Sequence, residues 1–270
     1  MKTIIFLNNK GGVGKTASVT TIAHMIAEEH GKRVLLIDLD PQMNSTCMFS
    51  EVDFIDLFMG ISNGTSSHKH LSVEDLLLDH SLDAHDCIQH TEYKNLDIIP
   101  SYLTLSEAAE RMKADVCTPQ QFCLREHLQT LQDEYDYCII DTSPSVSIVN
   151  INGLVAADTI YVPLRCDGGS LLGAAIVMNI YKTVRTYNPG LKMGGMFFTQ
   201  WNNRKNVSQV VYDLMSDKFG EYLLPIQIGT SKNIEECSLD QKPLLAYDDG
   251  KNKNQVTVNY MEMTKYIMDH

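Results

Sequence analysis

The chain has 270 residues, 44% of them hydrophobic and 21% charged, proportions that exclude a disordered or fibrous architecture and suit one well-buried α/β domain spanning residues 1–270. A formal net charge of −12 argues at first against nucleic acid as a partner, because phosphate binding rests on Lys and Arg. No apolar run of about 18 residues occurs, and Met1-Lys2-Thr3 followed by Ile4-Ile5-Phe6-Leu7 is too short for a secretory core, so the expected location is cytoplasmic.

Thr3 to Leu7 is a β-branched and aromatic run that ends at Asn8-Asn9 and a glycine cluster. Beyond it, Val19, Ile22, Ala23, Ile26 and Ala27 recur at helical spacing. Residues 33–37, Arg-Val-Leu-Leu-Ile, have the continuous apolar character of a strand covered on both faces, with Asp38 at its carboxyl end. The opening is therefore a βαβ unit. Residues 60–70 are polar and rich in Gly and Ser, between short amphipathic segments at 53–59 and 72–79, and read as a surface loop. Its His68 and His70 have no nearby acid or thiol and are expected to be solvated rather than metal-bound.

Further strands are predicted at 96–99, 137–140, 159–163 and 193–199, with helical patterns between them. This alternation predicts a doubly wound, mostly parallel sheet with helices on both faces, in which ligands bind at the carboxyl ends of the strands. The seven cysteines (47, 87, 117, 123, 138, 166, 237) include no C-x-x-C pair and read as reduced thiols packed as small apolar groups. Charge is unevenly distributed. Residues 51–136 hold 17 acids against 5 Lys/Arg, whereas residues 182–232 hold 7 Lys/Arg against 3 acids, so the second stretch can still face phosphates.

Lys10-Gly11-Gly12-Val13-Gly14-Lys15-Thr16 stands between the first strand and the first helix, where a glycine-rich loop can wrap phosphates with backbone N–H groups. The glycines permit close approach, Lys15 supplies a cation to the β/γ-phosphates, and the Thr16 hydroxyl can ligate Mg²⁺. Asn9 occupies the place of the first glycine in G-x-x-x-x-G-K-T. The pattern K-G-G-x-G-K-T preceded by Asn instead resembles the deviant Walker A ATPases of the ParA/MinD superfamily. That resemblance implies a P-loop NTPase fold, ATP and Mg²⁺ as ligands, and a role for Lys10 in reaching across a dimer to the partner's nucleotide.

Asp38-Leu39-Asp40-Pro41-Gln42 resembles the D-x-D-P-Q segment of the ParA branch. Alternation in an extended chain sends both aspartates to one side, and the resemblance implies that Asp40 positions the attacking water while Asp38 supports the metal's water shell. Tyr137-Cys138-Ile139-Ile140-Asp141 fits a Walker B strand with Asp141 placed to hold Mg²⁺ through water. It runs on into Thr142-Ser143-Pro144-Ser145, similar to a ParA switch segment, with Ser143 where many relatives have proline. The resemblance continues through Ala156 to Pro163, Met196 to Trp201 and Gln241-Lys242-Pro243-Leu244. It implies nucleotide contacts at Gly11, Gly12, Val13, Gly14, Lys15, Thr16 and Ala17, with Thr199 and Ile228-Gly229 flanking the base.

The ParA branch implies an ATPase that is slow by itself, dimerises with ATP, binds DNA nonspecifically and is released when a ParB-type partner stimulates hydrolysis. Such a protein would be nucleoid-associated in its ATP state. Arg204, Lys205 and Lys232 are the candidate DNA contacts. Because the chain opens on its first core strand, no N-terminal DNA-reading domain is expected, and no operator binding with it. A MinD-like membrane-cycling ATPase would want a basic amphipathic C-terminal helix. Residues 256–268 instead align Val256, Tyr260, Met263 and Ile267 with only Lys265 as a cation, so that helix is expected to cap the core and no membrane partner is expected. An iron–sulfur carrier would need cysteines just after Asp141, where there are none. A non-catalytic, ATP-dependent DNA-coating scaffold is the remaining alternative.

Overall fold

The computed structural model describes residues 1–50, 70–115, 119–250 and 252–270. The predicted segment at 53–59, the loop at 60–69 with His68, and Cys117 lie outside the described residues. Eight described strands form one sheet: β1 (Lys2–Phe6), β2 (Val34–Leu39), β3 (Gln89–His90), β4 (Leu96–Ile99), β5 (Tyr137–Thr142), β6 (Thr159–Arg165), β7 (Lys192–Trp201) and β8 (Leu223–Gly229). The described helices are α1 (Lys15–Glu28), α2 (Asn44–Phe49), α3 (Val73–Leu78), α4 (Leu105–Ala114), α5 (Cys123–Thr130), α6 (Ile148–Ala156), α7 (Ser170–Val184), α8 (Asn206–Phe219), α9 (Lys232–Leu239), α10 (Leu244–Tyr247) and α11 (Gln255–Asp269).

The sheet order is β3-β4-β2-β5-β1-β6-β7-β8, parallel except where β3 runs against β4. Successive side chains of a strand point to opposite faces, and two cores follow from that alternation. Ile5, Leu35, Ile140 and Val162 pack with α4 to α8 on one face, while Ile4, Phe6, Leu36 and Ile139 pack with α1 and α11 on the other. With both faces covered, the central strands read as continuous apolar runs, as the sequence predicts. β1 lies between β5 and β6; the connection from β1 runs to β2 on one side and that from β5 runs to β6 on the other, the arrangement that puts a binding site at the carboxyl ends of these strands.

Two strands escape the sequence reading. β8 carries Pro225, which weighs against a strand, but the edge position tolerates a residue that donates no hydrogen bond and leaves it exposed. β3 is only two residues long. The C-terminal helix behaves as predicted. Val256, Tyr260, Met263 and Ile267 of α11 are buried, and Tyr260 Oη meets Ser18 Oγ of α1 at 3.1 Å. Its apolar face therefore belongs to the core. Among the described residues no helix is long and apolar enough to cross a membrane. All six described cysteines are free, and His70 is exposed.

Candidate functional site

The glycine-rich loop joins β1 to α1 and is held from several sides. Asn8 Nδ2 donates to Pro163 O at 2.8 Å, and Asn8 Oδ1 accepts from the Lys10 N–H at 3.0 Å. Thr142 Oγ1 donates to Phe6 O at 2.7 Å, and Gln200 Nε2 donates to Gly12 O at 3.1 Å. Gly12 and Gly14 adopt φ of 69° and 78°, a left-handed backbone that side chains disfavour. A Cβ on Gly14 would also press on Thr199 at 3.4 Å, whereas one on Gly11 would meet nothing within 4 Å. The loop is thus open on the side of Gly11, which is exposed. The first turn of α1 carries no acidic residue, so its N–H groups and dipole favour an anion.

Lys15 is buried, and its Nζ folds back to donate to Lys10 O at 3.1 Å. Burial lowers its pKa, and the nearby Asp141 and Asp40 oppose that shift. The ammonium therefore sits between the loop and a group of carboxylates. Asp38 on β2 and Asp141 on β5 are register partners in adjacent parallel strands, and both are fully buried. Burial raises both pKa values; for Asp38 the neighbouring charge of Asp141 adds to the effect, and for Asp141 that of Asp40. Hydrogen bonds work the other way. Asp38 Oδ1 accepts from the Asp40 N–H at 2.9 Å, and its Oδ2 accepts from Thr46 N–H at 2.9 Å and Thr46 Oγ1 at 2.8 Å. Asp141 Oδ2 accepts from Ser45 Oγ at 2.8 Å, and the Thr16 hydroxyl also bonds to this carboxyl.

Asp40 is buried just past the end of β2, its Oδ1 accepting from Gln42 N–H at 2.9 Å. Among the described residues no group of three or more His, Cys, Asp or Glu side chains is arranged as a metal cage. Carboxylates and a hydroxyl beside a glycine-rich loop at a helix N-terminus instead suit a small hard cation that keeps most of its water and takes phosphate oxygens as ligands.

On the rim, Lys10 Nζ pairs with Asp167, which follows β6 and also accepts from Gly169 N–H at 3.0 Å. Burial works to raise the Asp167 carboxyl, but the hydrogen bonds and charge of Lys10 outweigh it and hold the group below the usual carboxylate range. Arg165, at the end of β6, would lie 3.7 Å from a Cβ on Gly12. The segment after β5 is tied down by Asn150, whose Nδ2 donates to Ser143 O at 2.9 Å and Ser145 O at 2.6 Å. Val146, in this segment, and Leu172, on α7, are 63% and 66% exposed.

Thr199 is buried beneath the loop, its hydroxyl engaged with Val13 O at 2.8 Å and Leu164 O at 3.1 Å, a placement that buttresses the loop. Ala17 is part of α1, and Gly229 packs toward α11, its N–H donating to Asn259 Oδ1 at 3.3 Å. Arg204 and Lys205 precede α8 and Lys232 opens α9, all exposed on the carboxyl edge of the sheet with the phosphate loop. The rest of the basic stretch is elsewhere: Lys192 begins β7 at the opposite edge, and Lys218 pairs with Asp217 at 2.8 Å near the end of α8. Sequence reasoning did not single out Ser45, Thr46, Asp167 or Arg165. The one signal available was position, since Ser45-Thr46 follows D-x-D-P-Q closely and Arg165 and Asp167 lie at the end of a predicted strand.

Residues 1–193 match the profile of a family described as AAA domain. The chain is 31% identical over 248 residues to the chromosome-partitioning ATPase Soj of Treponema pallidum (strain Nichols), covering 92% of this chain and 90% of that one. It is 29% identical over 267 residues to the sporulation initiation inhibitor protein Soj of Bacillus subtilis (strain 168), covering 98% of each. Among solved structures, it resembles the cobyrinic acid a,c-diamide synthase from Mycobacterium smegmatis with bound ADP and magnesium, with a TM-score of 0.78 and 25% identity, covering 100% of this chain and 95% of that one.

Proposed function

The chain belongs to the AAA-domain family and, within it, to the ParA-type partition ATPases, and from that membership we propose that it is an ATP-gated switch on DNA. In this reading the chain takes ATP with Mg²⁺, dimerises, holds DNA without sequence preference, and lets go when a ParB-type partner stimulates hydrolysis. The observation that carries the reading is the gathering of Lys15, Asp38, Asp40 and Asp141 at the carboxyl ends of β2 and β5, with Lys15 bonded back to the glycine-rich loop at Lys10 O.

The backbone of Gly11 to Ala17 binds the phosphates through N–H groups, and the Lys15 ammonium offsets charge on the β/γ oxygens. Thr16, Asp38 and Asp141 would hold Mg²⁺. When bound, the ion neutralises charge that builds on the phosphoryl oxygens. Asp40 orients the water that attacks the γ-phosphorus as the bond to the ADP oxygen breaks. Lys10 leaves Asp167 and reaches the partner's nucleotide. Arg204, Lys205 and Lys232 face DNA phosphates.

Retention of the wild-type chain and of Asp40→Ala on nonspecific DNA, with ATP, with ADP and without nucleotide, tests the reading at a stated salt concentration. Retention that requires ATP and persists longer in Asp40→Ala supports the switch. Equal retention under all three conditions contradicts it, and a wild-type rate that no partner or DNA changes would favour a passive scaffold.

A further inference from the structure

The carboxylates assigned to Mg²⁺ are not held by their own strands alone. Asp38 and Asp141 stand side by side at register-paired positions in adjacent strands, so two buried like charges oppose each other, and the torsion that turns a carboxylate about its last bond is soft. What fixes their planes comes from α2. Its consecutive residues Ser45 and Thr46, both fully buried, send one hydroxyl to each acid: Ser45 Oγ to Asp141 Oδ2 at 2.8 Å and Thr46 Oγ1 to Asp38 Oδ2 at 2.8 Å.

In the second bond the threonine hydroxyl is the donor. Thr46 Oγ1 accepts from the Ser101 N–H at 2.9 Å, and Asp38 is ready to accept the one proton the hydroxyl can donate. Ser101 is anchored in turn, its own Oγ donating to the Asp40 carbonyl at 2.7 Å. The loop after β4 therefore fixes Thr46, Thr46 fixes Asp38, and Ser45 fixes Asp141.

We propose that Ser45 and Thr46 are positioning residues that set the affinity of the nucleotide site for Mg²⁺ by holding Asp141 and Asp38 in ligand-ready orientation. This rests on the assignment of the site to Mg²⁺ and ATP. Outer partners of metal-holding groups typically change metal affinity by about 10- to 100-fold when removed.

The test uses the full chain and a non-hydrolysable ATP analogue. Binding is followed by calorimetry while MgCl₂ is titrated, with binding in excess chelator as the metal-free reference. Ser45→Ala and Thr46→Val are expected to raise the Mg²⁺ midpoint by about 10-fold or more and to leave metal-free binding unchanged. Thr46→Ser keeps the hydroxyl and is expected to restore the midpoint to near the wild-type value. Unchanged midpoints in folded Ser45→Ala and Thr46→Val overturn the proposal, even if melting temperature falls. If Thr46→Val does not fold, Ser45→Ala decides alone. A wild-type chain whose analogue binding ignores Mg²⁺ defeats the site assignment and this proposal together, whereas an Mg²⁺-sensitive wild type with variant midpoints equal to its own defeats this proposal only.

Discussion

Lys10 Nζ lies 2.5 Å from the Asp167 carboxylate of its own chain, so the lysine assigned to a partner's nucleotide is held in cis. Both side chains keep about a third of their surface in solvent, 35% and 37%, and a pair so exposed is worth at most about 1 kcal/mol after screening. Asp167→Asn removes that hold. It is expected to tighten the ATP-dependent dimer by up to about fivefold in sedimentation experiments, and a weaker dimer would show that Asp167 contributes across the interface instead.

Thr199 donates one hydroxyl toward two buried carbonyls, those of Val13 and Leu164. Thr199→Val keeps the shape and removes the donor. Expected are a stability loss of about 1–2 kcal/mol by denaturant titration and weaker ATP binding, since Val13 is part of the phosphate loop. Intact ATP affinity would mean that the loop is held well enough by Asn8 and Gln200.

His24 on α1 is buried edge-on to Tyr93 at 4.6 Å, and its Nδ1 has no hydrogen-bond partner among the described residues. Burial lowers its pKa from 6.5 to about 4. Between those values the unfolded chain binds more protons at this residue than the folded one, so its contribution is complete above about pH 6.5 and is lost as pH falls toward 4. His24→Phe removes the titration. Near pH 5 the variant should gain on the order of 2 kcal/mol relative to its difference from wild type at pH 7, measured by urea denaturation. A pH-independent difference would contradict the burial argument.

A Cβ on Gly153 of α6 would lie 2.8 Å from both Ile5 Cδ1 and Leu39 Cδ1. The methyl ends can shift, but only into a filled core. Gly153→Ala is expected to destabilise the chain by about 1–3 kcal/mol in thermal or urea unfolding, with nucleotide binding retained.

Arg204→Glu with Lys205→Glu is expected to weaken DNA binding across all sequences and to reduce the salt slope by about 1 per lost phosphate contact. ATP affinity should not change. Loss of ATP binding in this double variant would count against the assignment of these residues to DNA.

The loop from Lys10 to Thr16 was legible in the sequence because its spacing requires glycine backbone and a following helix, and the structure supplies both. The central strands were legible because two covered faces demand continuous apolar runs. What stayed hidden depends on return paths of the chain. Ser45 and Thr46 look like ordinary polar residues until α2 brings them onto Asp141 and Asp38. Lys10 and Asp167 are 157 positions apart and meet only because β1 and β6 are neighbours. The basic stretch at 182–232 looked like one patch, yet strand β7 carries Lys192 and Arg204 to opposite edges of the sheet.

The central claim, an ATP-gated dimer completed by Lys10, is tested most directly by the mass of the chain in solution with ATP, with ADP and without nucleotide, alongside Lys10→Ala. The account predicts a doubled mass for the wild type with ATP only, and a Lys10→Ala chain that binds ATP yet dimerises poorly. A mass that ignores nucleotide, or a Lys10→Ala dimer as strong as the wild type, would contradict it.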